Sequence, residues 1–278
     1  MPRLVKRPSL EDILEFCGRE PIERVFLEDV ARRGLGRFAA LREGGELVAV
    51  CHLGANLVPS GEGAGAFAKL AARSRPRMLI GDERAVTDLW EAARDDLPGV
   101  REDRPGQPVY VLDDEPAVGG SALRSATLHD LEVLVRTSAA AFLEEVGIDA
   151  YARDPALFEW RTRTQIEEGR SWLWEEKGTI LFKAEASAWT DRAVQLQQVW
   201  VDPSVRGNGY GKRGLADLCR LLLARTPSVC LFVRPENAPA IALYDSFGFV
   251  QEGYRRRHYR RDGEYLDAIL MALPTEPR

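Results

Sequence analysis

Short apolar runs, punctuated by glycine, proline and charged residues, fill the second half of the chain. They predict strands over residues 171–175, 179–189, 194–201, 229–233, 249–257 and 265–272. Between them lie stretches with helical spacing. Residues 127–142 carry Leu128, Leu131, Leu134 and Val135 on one face, 149–168 hold one more helix, and 212–225 form a long apolar helix. This alternation predicts an α/β unit.

The first half repeats the order more faintly. Strands over 37–41 and 46–53 flank Gly44-Gly45 as a hairpin, just as 172–175 and 179–183 flank Lys177-Gly178. An apolar strand at 78–80 precedes a helix with Leu89-Trp90, matching the strand at 229–233 before a helix with Leu243-Tyr244. The parallel predicts an ancient duplication. Residues 113–121 are acidic, small and broken by proline and glycine, so they read as a linker with a boundary near residue 120.

The most specific chemistry lies where the strand at 194–201 meets the helix at 212–225, through Arg206-Gly207-Asn208-Gly209-Tyr210-Gly211. Glycines without a Cβ expose successive backbone N–H groups, and the following helix brings its positive dipole end and unpaired amides to the same point. An anion such as a pyrophosphate fits there without a metal. A plain strand-to-helix loop would need fewer glycines and no preceding arginine. A dinucleotide-binding unit would need an acid at the end of the next strand, where Arg234 stands.

The chain continues Asn237-Ala238-Pro239-Ala240-Ile241-Ala242-Leu243-Tyr244, then Phe247-Gly248-Phe249. The two motifs together resemble the GNAT superfamily of acyl-CoA-dependent N-acetyltransferases. The turn resembles the family's Arg/Gln-x-x-Gly-x-Gly/Ala grip through Arg206, Gly209 and Gly211. The second signature is matched by Asn237, Ala240, Leu243, Tyr244, Gly248 and Phe249. The resemblance implies an α/β fold of two GNAT-like domains in tandem, each a mixed, mainly antiparallel central sheet flanked by helices. Residues 1–118 would be a degenerate, noncatalytic domain and 123–278 the N-acetyltransferase domain. In the first domain, Gly61-x-Gly63-x-Gly65 has Glu62 inside it and no arginine before it, and Trp90 stands in place of Tyr244.

Acetyl-CoA is then the expected co-substrate and a primary amine the acceptor. Coenzyme contacts are expected from Val199, Trp200, Val201, Arg206, Gly207, Asn208, Gly209, Tyr210, Gly211, Lys212, Asn237 and Tyr244. The strand carrying Val199 to Val201 would splay from its neighbour, take the pantetheine arm and offer an N–H to the thioester oxygen. Tyr244 would be the acid toward sulfur, though its helix also suits a core tyrosine. Asn237 also suits a helix cap. Gln195, Gln197 and Gln198 stand where many members carry a basic glutamate, and none of them can take a proton. Glu185 and Glu144 are the substitute base candidates, with Glu145 beside them, each equally readable as a solvated surface acid. Glu144, Glu145 and Asp149 would make the acceptor cleft negative. The alternatives are a noncatalytic acetyl-CoA-binding or sensor module, and a tandem enzyme using both halves for a peptide-like substrate.

Composition narrows the remaining classes. The chain has 278 residues, 45% hydrophobic and 29% charged, enough for a sizeable core. It has no run of eighteen apolar residues and no secretory-type N-terminus, so a cytoplasmic location and no membrane partner are expected. Cys17, Cys51, Cys219 and Cys230 are scattered among only 3 histidines, which predicts free thiols and no metal site. A net charge of −5 argues against nucleic acid, and the run Arg255, Arg256, Arg257, Arg260 and Arg261 reads as a solvated hairpin, the alternative being that one or two of them reach a phosphate of coenzyme A. A homodimer is a possible assembly.

Overall fold

The computed structural model describes residues 2–54, 56–97, 100–147 and 149–260. The first half comprises β1 (Arg3–Val5), α1 (Leu10–Gly18), α2 (Val25–Arg32), β2 (Phe38–Glu43), β3 (Glu46–Leu53) and β4 (Asn56–Gly61). It continues with α3 (Ala68–Ser74), β5 (Met78–Asp82), α4 (Glu83–Ala93) and β6 (Val100–Leu112). The second half starts with β7 (Arg124–Ser125), α5 (Leu131–Val146), α6 (Ala150–Arg153) and α7 (Pro155–Glu167). Then come β8 (Ser171–Glu176), β9 (Thr179–Trp189), β10 (Ala193–Val201), α8 (Tyr210–Leu223), β11 (Ser228–Phe232), α9 (Ala238–Asp245) and β12 (Val250–Arg260).

Each half supplies a mixed, mainly antiparallel array flanked by helices, and the two arrays join into one 12-stranded sheet. Its order is β1-β2-β3-β4-β5-β12-β6-β11-β10-β9-β8-β7. The order is palindromic about the β12 and β6 pair. Within each half one pair is parallel, β4 with β5 and β10 with β11. The sixth strand of each half is exchanged: β6 pairs antiparallel with β11, and β12 pairs antiparallel with β5.

The exchange changes two expectations. Arg255, Arg256, Arg257 and Arg260 lie on β12, an interior strand paired on both sides, rather than on a solvated hairpin. Arg261 and the strand expected at 265–272 lie outside the described residues. The segment read as a linker is docked on α8. Asp217 accepts from the backbone N–H of Gly119 and Ser121, both at 2.7 Å, and Arg220 donates to the carbonyl of Pro116 at 2.9 Å. The stretch 149–168 holds two helices, because Asp154 and Pro155 restart the chain as N-cap and first helical residue.

Packing follows the periodicity. Leu215, Leu218, Cys219 and Leu222 recur at i, i+3, i+4 and i+7 on α8 and are all fully buried with Phe182, Val194, Val229 and Leu231. Burial of each such leucine contributes roughly 2 kcal/mol. α2 differs, being buried from Val25 through Ala31 on every side, because it packs on its own half and also against β9 and β10. Its Asp29 receives two hydrogen bonds from Arg170, at 2.7 and 3.1 Å, and a further ion pair from Arg33, so a charge from each half is sealed in this seam. Among the described residues no helix is long and apolar enough to cross a membrane. All four cysteines are free and buried.

Asp29→Ala should leave the nearly buried Arg170 guanidinium with only Glu168 as carboxylate partner and lower unfolding free energy by about 2 kcal/mol. Urea titration followed by tryptophan fluorescence and far-UV circular dichroism checks this. Both probes should report one shared transition in native and variant proteins, whereas two separated transitions would mean that the shared sheet does not couple the halves.

Candidate functional site

β10 and β11 are paired only over Ala193, Val194 and Gln195, opposite Ser228, Val229 and Cys230. β10 then runs on to Val201 without that neighbour, so its backbone groups on this side face a gap. On its other side β10 stays paired with β9, but the register shifts between Gln197 and Trp200. Gln198 sits inside this bulge with φ +48°, a left-handed conformation that a residue with a Cβ adopts only at a cost. Val199, Trp200 and Val201 therefore line the parted edge.

The chain leaves β10 through a short 3-10 turn, Pro203–Val205, and enters α8 through Gly207 and Gly209, both at φ +80°. A Cβ at either glycine would meet nothing within 4 Å, so the turn opens to solvent. Gly209 is the N-cap of α8 and offers no side chain to the first-turn amides of Tyr210, Gly211 and Lys212. α8 begins at Tyr210, two residues earlier than its periodicity predicts. Gly214 serves packing instead: a Cβ there would lie 2.6 Å from the Phe182 ring.

Cationic and aromatic groups surround the turn. Arg213 stacks over Trp174 at 4.6 Å and Tyr210 at 4.9 Å, and Tyr210 itself packs on Trp174 at 4.7 Å. Asn208 donates its side-chain amide to the carbonyl of Val205 at 3.3 Å. Arg206 donates to the carbonyl of Val201 at 3.1 Å and makes a two-pronged pair with Glu144, at 2.6 and 2.7 Å. Trp200 Nε1 donates to the same carboxylate at 3.2 Å. The guanidinium holds the Glu144 carboxyl below its ordinary range.

That pairing corrects the expectation for Glu144, which is neither a free surface acid nor a poised base. Its charge is matched by Arg206, so it adds no net negative potential to a cleft. Glu145 is exposed, and its backbone carbonyl accepts from Arg234. Asp149 caps α6 by accepting from Ala152 N–H at 2.8 Å. Glu185 is also unlike the expected solvated acid. It is 6% exposed and bonded to Lys183 Nζ at 2.6 Å, with Gln197 Nε2 at 3.4 Å on its other oxygen.

Glu185 lines a narrow polar cavity under the bulge, with Ser138, Gln198 and the α7 residues Arg161, Thr162 and Gln165. About 10 Å³ is open to a water centre, the size of one site. Sequence reading missed Lys183 and Ser138. The signal was a polar face inside a buried strand: Lys183, Glu185 and Ser187 alternate on β9, Gln197 stands opposite Glu185 on β10, and Gln195 Nε2 donates to Ser187 Oγ at 2.7 Å.

Tyr244 lies on α9, 6% exposed, with its ring centroid 5.6 Å from Phe249 and 6.1 Å from Tyr110. Burial, followed by the charges of Glu145 and Cys219, raises its phenol above the ordinary value. Asn237 caps α9 by accepting from Ala240 N–H at 3.2 Å. Lys212 reaches over the Phe247 ring at 6.0 Å.

The first half shares the topology, and its β4 and β5 ladder also ends early, after Leu57 and Leu79. An ideal Cβ on Gly81 would sit 2.5 Å from the carbonyl oxygen of Pro59, so these two backbones still approach closely beyond the last pair. The amide of Gly65 already donates to Asp88 at 3.0 Å. A carboxylate of the protein stands at this turn.

Residues 132–249 match the Acetyltransferase (GNAT) family, and residues 36–134 match a Domain of unknown function (DUF4081). The N-alpha-acetyltransferase RimI of Mycobacterium tuberculosis is 45% identical over 77 residues, covering 28% of this chain and 46% of that protein. The ribosomal protein bS18-alanine N-acetyltransferase of Escherichia coli (strain K12) is 34% identical over 122 residues, covering 42% of this chain and 82% of the relative. A solved tandem GNAT protein from the clavulanic acid biosynthesis pathway has a similar fold, with TM-score 0.54 at 14% identity over 95% of this chain and 100% of that one. The chain belongs to the GNAT acetyltransferase family. It spans about half the length of the mycobacterial relative it matches.

The two kinds of glycine in α8 separate by substitution. Gly209→Ala should cost about 1 kcal/mol through its positive φ alone. Gly214→Ala should cost roughly 1–3 kcal/mol because β9 and α8 must move apart. Chemical denaturation of both variants measures the difference, and equal costs would contradict the packing role of Gly214.

Proposed function

We propose that this chain is an N-acetyltransferase that moves an acetyl group from acetyl-CoA to a primary amine by direct transfer within a ternary complex. The observation that carries the reading is that the parted β10 edge runs straight into the glycine turn and the uncapped N-terminus of α8, where Gly211 lies against Val201 and the α9 residue Leu243. Residues 123–278 carry the chemistry. Residues 1–118 are a degenerate GNAT-like domain without a coenzyme site, supported by the palindromic strand order and by Asp88 at the equivalent turn.

The residues present fit the coenzyme. The amides of Gly209, Tyr210, Gly211 and Lys212, together with Arg206, Gly207 and Asn208, would hold the pyrophosphate at the helix N-terminus. The β10 residues Val199, Trp200 and Val201 would hold the pantetheine amides, with Asn237 and Tyr244 on the far side. Acetyl-CoA supplies an acyl group activated as a thioester. As the C–N bond forms and the C–S bond breaks, the amine must lose a proton and the sulfur must be protonated or stabilised. Tyr244 keeps its proton at neutral pH and gives it to sulfur. Glu185, although paired with Lys183, faces the one-water cavity and is the carboxylate placed to accept the amine's proton through that water. Glu144 is removed from that role by Arg206 and instead sets how readily Arg206 turns to phosphate.

A sensor that holds acetyl-CoA without turnover is the second reading, favoured by Gln195, Gln197 and Gln198 where an ionisable base is usual in the resembled family. Thiol release from acetyl-CoA in the presence of a panel of amines and peptide N-termini separates the readings. Tyr244→Phe should lower kcat by about a hundredfold or more with acetyl-CoA affinity kept. In the native enzyme the acid should survive past pH 10, the ordinary phenol value, because burial raises its pKa and the proton is lost only above that raised value. Glu144→Gln should tighten acetyl-CoA binding about two- to threefold by freeing Arg206 from an exposed pair. Weaker binding in that variant would show instead that Glu144 orients Arg206 for the phosphates.

A further inference from the structure

The bulge that parts β10 from β11 is held by a group outside the coenzyme contacts named above. Lys183 on β9 is fully buried and stands directly opposite Trp200 in the ladder. Its ammonium has three donors, and each finds an oxygen: Gln198 Oε1 at 2.9 Å, Ser138 Oγ at 2.8 Å and Glu185 Oε1 at 2.6 Å. The three partners come from β10, α5 and β9. Gln198 is the residue in left-handed backbone at the centre of the register shift.

A buried ammonium needs a reason. An apolar pair in place of Lys183 and Glu185 would serve stability as well or better, since both charges must be taken out of water. A left-handed glutamine also costs about 1–3 kcal/mol and relaxes unless its surroundings hold it. The two costs meet in one hydrogen bond, between Lys183 Nζ and the Gln198 side chain.

We propose that Lys183 is a positioning residue: through Gln198 it fixes the β10 bulge, and so aims the backbone of Val199 and Trp200 into the gap that receives the pantetheine arm. It touches neither coenzyme nor acceptor. This rests on the coenzyme reading given above and adds to it the device that keeps the groove open. Glycine tolerates φ +48° without strain, so Gln198→Gly removes the tether while relieving the backbone. Binding and stability should therefore separate, which a merely structural role would not produce.

The test is calorimetric titration with two probes, acetyl-CoA and 3′-phosphoadenosine 5′-diphosphate, the latter being the coenzyme without its pantetheine arm. Gln198→Gly should weaken acetyl-CoA about tenfold, leave the nucleotide within about twofold, and keep the native Tm. Lys183→Met combined with Glu185→Leu removes the ion pair as a unit and should weaken acetyl-CoA to the same extent. The three changes together should be no worse than either set alone, because both act on one tether. Unchanged acetyl-CoA affinity in Gln198→Gly would overturn the proposal, as would equal weakening of both probes with a lowered Tm. Should neither probe bind the native protein, the coenzyme reading falls and the proposal with it.

Discussion

Everything at the candidate site depends on two parallel strands that stop pairing. After Gln195, β10 keeps its ladder with β9 and loses the one with β11, so a row of backbone donors and acceptors is left facing a gap inside a sheet. Buried backbone groups without partners are costly, and a groove that leaves them open must be held by its surroundings and satisfied by water or a ligand. Here the bulge at Gln198 turns the strand, and the glycine turn then aims α8 at the mouth of the gap. Positive potential from the helix terminus and Lys212 collects where the gap opens, the charge of Arg206 being matched by Glu144. The first half has the same parallel pair, which also stops early, but there Pro59 and Gly81 stay in close approach and Asp88 occupies a turn amide.

The exchange of β6 and β12 gives that groove a rigid frame. Each half lends its last strand to the other, so β11, one wall of the gap, is backed by a strand from residues 100–112 rather than by its own half. α2 seals the seam beneath β9 and β10, with Asp29 and Arg170 paired out of solvent. The first half thereby supports the sheet whose opening matters. The docked segment ending at Ser121 adds a second tie, on α8.

The local parts were legible in the sequence because they depend on neighbours in the chain. The α8 apolar stripe, the two hairpins with Gly44-Gly45 and Lys177-Gly178, and the glycine turn after Arg206 all declare themselves by spacing. The α/β class and the mixed sheet followed from them. What stayed hidden depends on residues far apart. The exchange of strands brings Arg255 opposite Gln107, and the pair between Glu144 and Arg206 spans 62 positions. Glu185 read as a surface acid because charge normally marks solvent, and Lys183 drew no reading at all. Only the placement of α5 and α7 over β9 shows that they are buried. The helix at 149–168 split because the Asp154-Pro155 start signal was read as interior sequence.

The central claim is that the opening between β10 and α8 is a coenzyme site. Calorimetric titration of the native protein with acetyl-CoA, beside a Gly209→Glu variant that places a carboxylate at the turn and strains its φ, tests that claim most directly. The account predicts saturable binding to the native protein and its loss in a variant that remains folded by circular dichroism. Absence of binding to the native protein, or equal binding to both, would mean that the turn is a structural connection and that the acetyltransferase reading of this chain is wrong.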